Sequence, residues 1–238
     1  LDGVRQRVLV ALSARLDPVM GESSALSDLP VSLSAYREYA VGLERYYLSD
    51  FKGALQHFYA AHAIDSASTA IVLFVALTEW NANRNIAKAD SFLRILEPRR
   101  AQMPKADAHH YDFLRAWVDG DLQAAYRASV ALSTTSAAFA GAAAQDALRL
   151  NRLNEARRLI NSAMSSASGR SAPRGWEFLT LVLHLRGEHD RELLEARNGQ
   201  REASDSPFLR GLELRALAAL GRVDELRERM TAAHALNP

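Results

Sequence analysis

The sequence predicts an all-α chain, an α-solenoid of stacked helical hairpins, and three observations carry that prediction. The first is a stretch from Gly42 to Asp65 that reads as the end of one helix, a tight turn at Ser49-Asp50 and a second helix. On that second helix Phe51, Ala54, Leu55, Phe58, Ala61 and Ile64 recur at three- and four-residue steps and so share one face. The second observation is that this figure returns five times with drift. Ala54 is followed by Ala89, Ala125 and Ala156, then by Glu192 and Leu226, at steps of 35, 36, 31, 36 and 34 residues. Such a period is the mark of stacked helix-turn-helix units, because one hairpin cannot bury its apolar face alone. The third is composition: only 12 Gly and 7 Pro occur, and no alternating apolar run lies between turn signals, so strands are not expected.

Residue by residue, the figure resembles the tetratricopeptide repeat (TPR). In the first unit Gly42 matches the small residue of the first helix, Asp50-Phe51 the turn and following aromatic, and Ala54, Phe58 and Ala61 the small-aromatic-small series of the second helix. Trp117, Gly120-Asp121-Leu122 and Ala125 repeat it in the third unit, and Trp176, Leu179 and Arg186-Gly187-Glu188 in the fifth. Leu220-Gly221-Arg222, Ala233 and Pro238 repeat it in the sixth. The departures are Arg84-Asn85 and Asn151 at the second and fourth turns and a proline missing from most units. The resemblance implies a right-handed α-solenoid of about six TPR-like hairpins that binds proteins or peptides on its concave face.

Composition agrees. With 48% hydrophobic residues, the 238-residue chain has enough apolar side chains for a sizeable core. Its net charge of +1 is no footprint for nucleic acid or an anionic bilayer, so no nucleic-acid contact is expected. Of the basic residues only Lys52, Lys88 and Lys105 are lysine, a skew that with the heavy alanine usage fits a GC-rich bacterial genome. The absence of cysteine excludes disulfides and thiolate metal sites and leaves the compartment open between the cytoplasm and the extracytoplasmic part of an anchored protein.

In chain order, Leu1 in place of Met suggests an excised or processed piece. Residues 1–16 form a flanking helix with Val4, Val8, Leu12 and Leu16 on one stripe, stopped by Asp17-Pro18, too short and too charged to span a bilayer. Residues 17–32 are a linker rich in Pro, Gly, Ser and Asp, and 33–238 are the repeat domain. The helix, the linker and the phrase LSAYREYAVGLERYYLSDFKGALQHFYAAHAID together resemble the C-terminal repeat region of large bacterial regulators. That likeness implies an upstream serine/threonine kinase, cyclase or DNA-binding domain in the same chain, of which the flanking helix would be the last element.

The hairpins are expected near 33–48 and 51–64, 68–82 and 85–97, 105–118 and 121–133, 136–150 and 153–165, 174–186 and 189–198, and 207–220 and 223–236. Two connections are long, Glu97 to Lys105 and Ser165 to Pro173, and read as irregular surface loops able to hinge the stack or touch a ligand. Arg222, Asp224, Glu225, Arg227, Glu228 and Arg229 give the last helix the charged outer face of a capping unit.

Projecting the concave-facing positions of each first helix gives a candidate binding wall. It runs through Tyr36, Tyr39, Leu43 and Tyr46, then Phe74, Thr78 and Asn81, then His110, Leu114 and Trp117. Gln145, Leu148 and Arg149 follow, then Arg174, Glu177, Leu181 and His184, and finally Phe208 and Arg215. An aromatic half followed by a charged half suits an extended or helical peptide with apolar anchors and an acidic group. The competing reading is that these side chains are ordinary core, or that residues from the N-terminal end cover them, which would make the chain an internal scaffold or dimerisation module. One TPR subclass grips the terminal carboxylate of chaperones with lysines, an arginine and asparagines. The wall here offers Asn81 and Arg149 but no lysine, so that clamp is not expected.

Catalytic and metal signals are weak. Adjacent residues on a helix point about 100° apart, so His109 and His110 cannot serve one ligand face. His57 and His62, like His184 and His189, are five apart, and there is no HExxH, GxSxG, GxxxxGK[ST] or GxGxxG. The arginines at 149, 152, 157 and 158 are interrupted by Glu155 and read as a solvated face. No enzyme, cofactor or metal is expected.

Overall fold

The computed structural model describes residues 2–16, 30–134, 139–165, 173–202 and 207–236. Among them lie 13 α-helices and no strand. They are α1 (Asp2–Leu16), α2 (Leu33–Tyr47), α3 (Phe51–Ile64), α4 (Thr69–Asn83), α5 (Ile86–Leu96), α6 (Lys105–Val118) and α7 (Leu122–Ser133). After these come α8 (Ala140–Arg149), α9 (Leu153–Ala163), α10 (Pro173–Leu185), α11 (His189–Glu202), α12 (Pro207–Ala219) and α13 (Val223–Leu236). From α2 onward consecutive helices are joined in pairs by six tight turns. The chain groups into two compact units, Leu1–Asp146 and Ala147–Pro238.

One device makes all six turns. Each hairpin reverses through a single left-handed residue: Ser49, Arg84, Gly120, Asn151, Gly187 and Gly221, with φ between 55° and 76°. In five of the six the next residue's N–H then reaches the carbonyl five residues back, as from Asp50 to Arg45, Asp121 to Ala116 and Glu188 to Leu183, each at 2.9 Å. That bond closes the first helix on itself and uses a carbonyl that would otherwise be orphaned. The residue after the left-handed position then opens the second helix. Asp50, Asn85 and Asp121 accept from the backbone N–H three residues on, of Gly53, Lys88 and Ala124, at 2.9 to 3.0 Å.

In the first unit the core is aromatic. The rings of Tyr39, Phe58 and Phe74 meet with centroids 5.4 to 5.8 Å apart, joining α2, α3 and α4. Gly42 lets α3 approach: a methyl built on it would stand 2.6 Å from the Phe58 ring. α4 is buried on every side from Thr69 to Glu79, because α2, α3, α5 and α6 surround it. Buried Glu79 is held by the Tyr59 hydroxyl and by Asn83 Nδ2. Arg115 ties α6 to α5 through Asp90 at 2.6 Å and also holds Asp119 at 2.7 Å.

The second unit has its own core. Trp176, Leu179, Val182 and Leu183 of α10 and Leu193 and Ala196 of α11 are buried, with Leu209, Leu212, Ala216 and Leu217 of α12. Gly199 admits the Trp176 ring, 2.9 Å from where a Cβ would sit. Arg197 of α11 bridges Glu213 of α12 and Glu225 of α13 at 2.8 and 2.6 Å.

Three expectations need correction. Val4, Val8 and Leu12 of α1 are not its packed stripe, being 66%, 52% and 53% exposed, while Val10 is 2% exposed. Periodicity identifies residues that share a face but not which face meets a neighbour, and Gln6, whose Oε1 accepts from Leu33 N–H at 3.1 Å, fixes the orientation. The Glu97–Lys105 connection is not irregular: Glu97–Gln102 is a 3₁₀-helix, tied by Arg99 to the Ala67 carbonyl and by Arg100 to Asp112. α11 runs to Glu202 and not 198. Most of the 17–32 linker and of the Ser165–Pro173 connection lies outside the described residues.

Candidate functional site

In the first unit the predicted wall divides into buried and accessible members. Tyr36, Tyr39 and Leu43 of α2, Phe74 and Thr78 of α4, and His110 and Leu114 of α6 are each at most 4% exposed. Long side chains on a first helix reach the next first helix, which covers them. Tyr39 meets Phe74 at 5.7 Å, and Phe74 meets His110 at 5.3 Å. His110 also packs on Phe139 at 4.9 Å, and burial pushes its pKa down to about 3, so it is neutral at physiological pH. Burial likewise raises the Tyr39 hydroxyl, with Tyr47 and fully buried Asp107 adding to it. These residues build the interior, and of them only Leu114 also lines an opening to the surface.

Tyr46, Asn81, Trp117 and Gln145 remain half-exposed. Two pairs of hydrogen-bonded side chains span neighbouring helices among them. Asn81 Nδ2 donates to the Tyr46 hydroxyl at 3.0 Å, and the Trp117 indole N–H donates to buried Asp146 at 2.9 Å. The second oxygen of Asp146 accepts from Ser129 at 3.0 Å, so Trp117 is oriented through α8 from α7. Beside Trp117 a narrow cleft, its free interior about 20 Å³, lies between α4, α5 and α6. Ala76, Trp80, Ile86, Leu93, Leu114 and Trp117 are among its lining residues. The two tryptophans meet edge-on at 5.7 Å, and Arg84 lies over the Trp80 ring at 5.5 Å. The buried Trp80 indole N–H has no acceptor among the described residues. The cleft is therefore an apolar slot. Trp80 and Ile86 were not foreseen, since both lie off the concave projection and an apolar slot leaves no motif.

The second unit places its predicted residues differently. Arg149 is exposed at the end of α8; Arg174 lies over Phe178 at 5.8 Å, with Glu177 half-buried beside it. His184 and Arg215 come together on Glu192, a gap in the small-residue series. Its Glu-Arg spacing also suits an exposed face, an expectation that its burial corrects. Glu192 of α11 is fully buried, and its Oε1 accepts from Arg215 Nε at 2.7 Å. Its Oε2 lies 2.9 Å from His184 Nδ1 and 3.1 Å from His189 Nδ1. Burial raises the Glu192 carboxyl, but the hydrogen bonds from Arg215, His189 and His184 outweigh it and hold the pKa below the usual range. The two histidines were set aside because five residues separate them, which matters only on one helix. The turn at Gly187 puts them on two helices, with rings 5.1 Å apart.

No family model matches the sequence, and no curated protein matches it. Among solved structures, the chain is similar to TTC0263, a thermophilic TPR protein of Thermus thermophilus. The identity is 16%, 78% of this chain and 98% of that one are covered, and the TM-score is 0.53. It also aligns with the TPR2AB domain of yeast Sti1 in complex with pHSP90, at 14% identity over 84% of this chain and 89% of that one, with a TM-score of 0.37. The fold, on the first of these, is that of the tetratricopeptide repeat. No helix among the described residues is long and apolar enough to cross a membrane.

Proposed function

We propose that the chain is a non-catalytic module that binds a protein or peptide through its first unit. An apolar side chain of the ligand enters the cleft between Trp80 and Trp117, and its backbone runs past the Asn81–Tyr46 pair. The cleft carries this reading: eight apolar residues line an opening at the edge of a wall whose other aromatics are already packed. On the likeness of its first 65 residues, we place the module in a larger bacterial regulator, where ligand binding shifts the array between conformations and so biases an attached output domain.

Selection from a displayed peptide library tests the site. Selected peptides should carry an apolar anchor, and Trp117→Ala should weaken them by about 1–3 kcal/mol. Ile86→Asp, at an exposed cleft residue far from the Asp146 hydrogen bond, should do the same with helicity unchanged. Peptides that bind both variants as they bind the parent would refute the site. The burial of Tyr36, Tyr39, Phe74 and His110 supports a second reading, an internal scaffold or dimerisation module with no free ligand site. Under it no peptide is selected, and the mass in solution rises with concentration.

A further inference from the structure

We propose that His184, His189 and Glu192 form a binding site for a first-row transition-metal dication of the zinc class. Their donor atoms all lie within 4.8 Å of one another. Metal–donor bonds of about 2.0–2.2 Å put neighbouring donors of one ion roughly 3 Å apart. Both Nδ1–Oε2 distances, 2.9 and 3.1 Å, are of that size, so the ion needs only small side-chain adjustments. The donor set of two imidazoles and one carboxylate suits zinc, nickel or copper and not magnesium or calcium, which take oxygen.

Three features separate this cluster from an ordinary ion pair. Glu192 stands where four of the other five repeats place Ala54, Ala89, Ala125 and Ala156, and it is as fully buried as most of them. A carboxylate there must be compensated, whereas an alanine would pack without help. Arg215 engages Oε1 and leaves Oε2 to the two imidazoles, so the carboxylate is oriented from behind as metal-bound carboxylates are. The histidine side chains are 33% and 27% exposed, so an ion can enter and water or a partner's donor can complete its coordination. Each neutral imidazole would bind the ion through Nδ1 in the tautomer that carries its single hydrogen on Nε2, so no proton need leave the ring. The ion then clamps the end of α10 to the start of α11 across the Gly187 turn. Arg215 opposes it electrostatically, which sets a moderate affinity and keeps the site reversible.

The test uses the full chain without a histidine tag, stripped with chelator. Zinc titration by calorimetry should show one equivalent per chain, and saturating zinc should raise the melting temperature by about 5 °C or more, reversed by chelator. Magnesium and calcium at the same concentration should leave it unchanged. His184→Ala with His189→Ala should keep its helicity and lose the equivalent. Should that variant unfold, imidazole resonances of the parent protein decide: those of His184 and His189 should move on zinc addition while those of His57, His62, His109 and His110 stay. No stoichiometric uptake, uptake retained in the folded double variant, or movement confined to the other histidines would each overturn the proposal.

Discussion

Gly42 shows how much one position decides. An added methyl would strike the Phe58 ring, which is itself fixed by Tyr39 and Phe74, so the ring cannot step aside. Gly42→Ala should therefore lower unfolding free energy by about 1–3 kcal/mol in denaturant titration. Glu192 decides something else. Its pKa is depressed in the fold, so its interactions with Arg215, His184 and His189 stabilise the protein above the ordinary carboxylate range, and that contribution fades as pH falls through the folded value. Glu192→Gln should flatten the fall of stability between about pH 5 and pH 3. A slope unchanged from the parent would show that the carboxylate is not coupled to folding. Neither the role of Glu192 nor that of His189 was legible beforehand, because spacing along the chain says nothing about residues on either side of a turn. Tyr39 and Phe74 were recognised as facing one way, but facing the next helix and facing solvent leave the same pattern.

At the scale of the element, the hairpin turns were the most readable part of the molecule. A left-handed residue followed by a helix-capping carboxylate or amide leaves a two-letter trace, as in Ser49-Asp50, Arg84-Asn85 and Gly120-Asp121. At Gly120 nothing lies within 4 Å of where a Cβ would be, so the only obstacle to a side chain there is the backbone angle of +76°. Gly120→Ala should accordingly cost about 1–2 kcal/mol, and Asp121→Ala about 0.5–2 kcal/mol from loss of the cap, both read as shifts in denaturation midpoint at unchanged slope. The flanking helix shows the opposite case. With apolar residues on several sides, α1 let Val4, Val8 and Leu12 pass for the packed stripe, and only the contact of Gln6 with α2 resolves it.

Across the whole molecule, burial falls unevenly. α4 is enclosed from Thr69 to Glu79, whereas α13 shows mostly exposed residues between Val223 and Ala232. In an array where each hairpin leans on its neighbours, local opening should follow that gradient. Hydrogen exchange should find the amides of 72–79 the slowest and those of 223–232 among the first to exchange. Equal protection in the two segments would mean that the chain opens as a single cooperative body.

The single left-handed residue in every turn also makes the chain divisible. Cutting at Ser49 and again at Arg84, or at Gly187 and again at Gly221, removes one complete period with both ends in the same backbone conformation. Deletion or duplication between such equivalent points joins like to like, so the array could change length without rebuilding a turn. An insertion of a few residues elsewhere in a helix has no such matched junction.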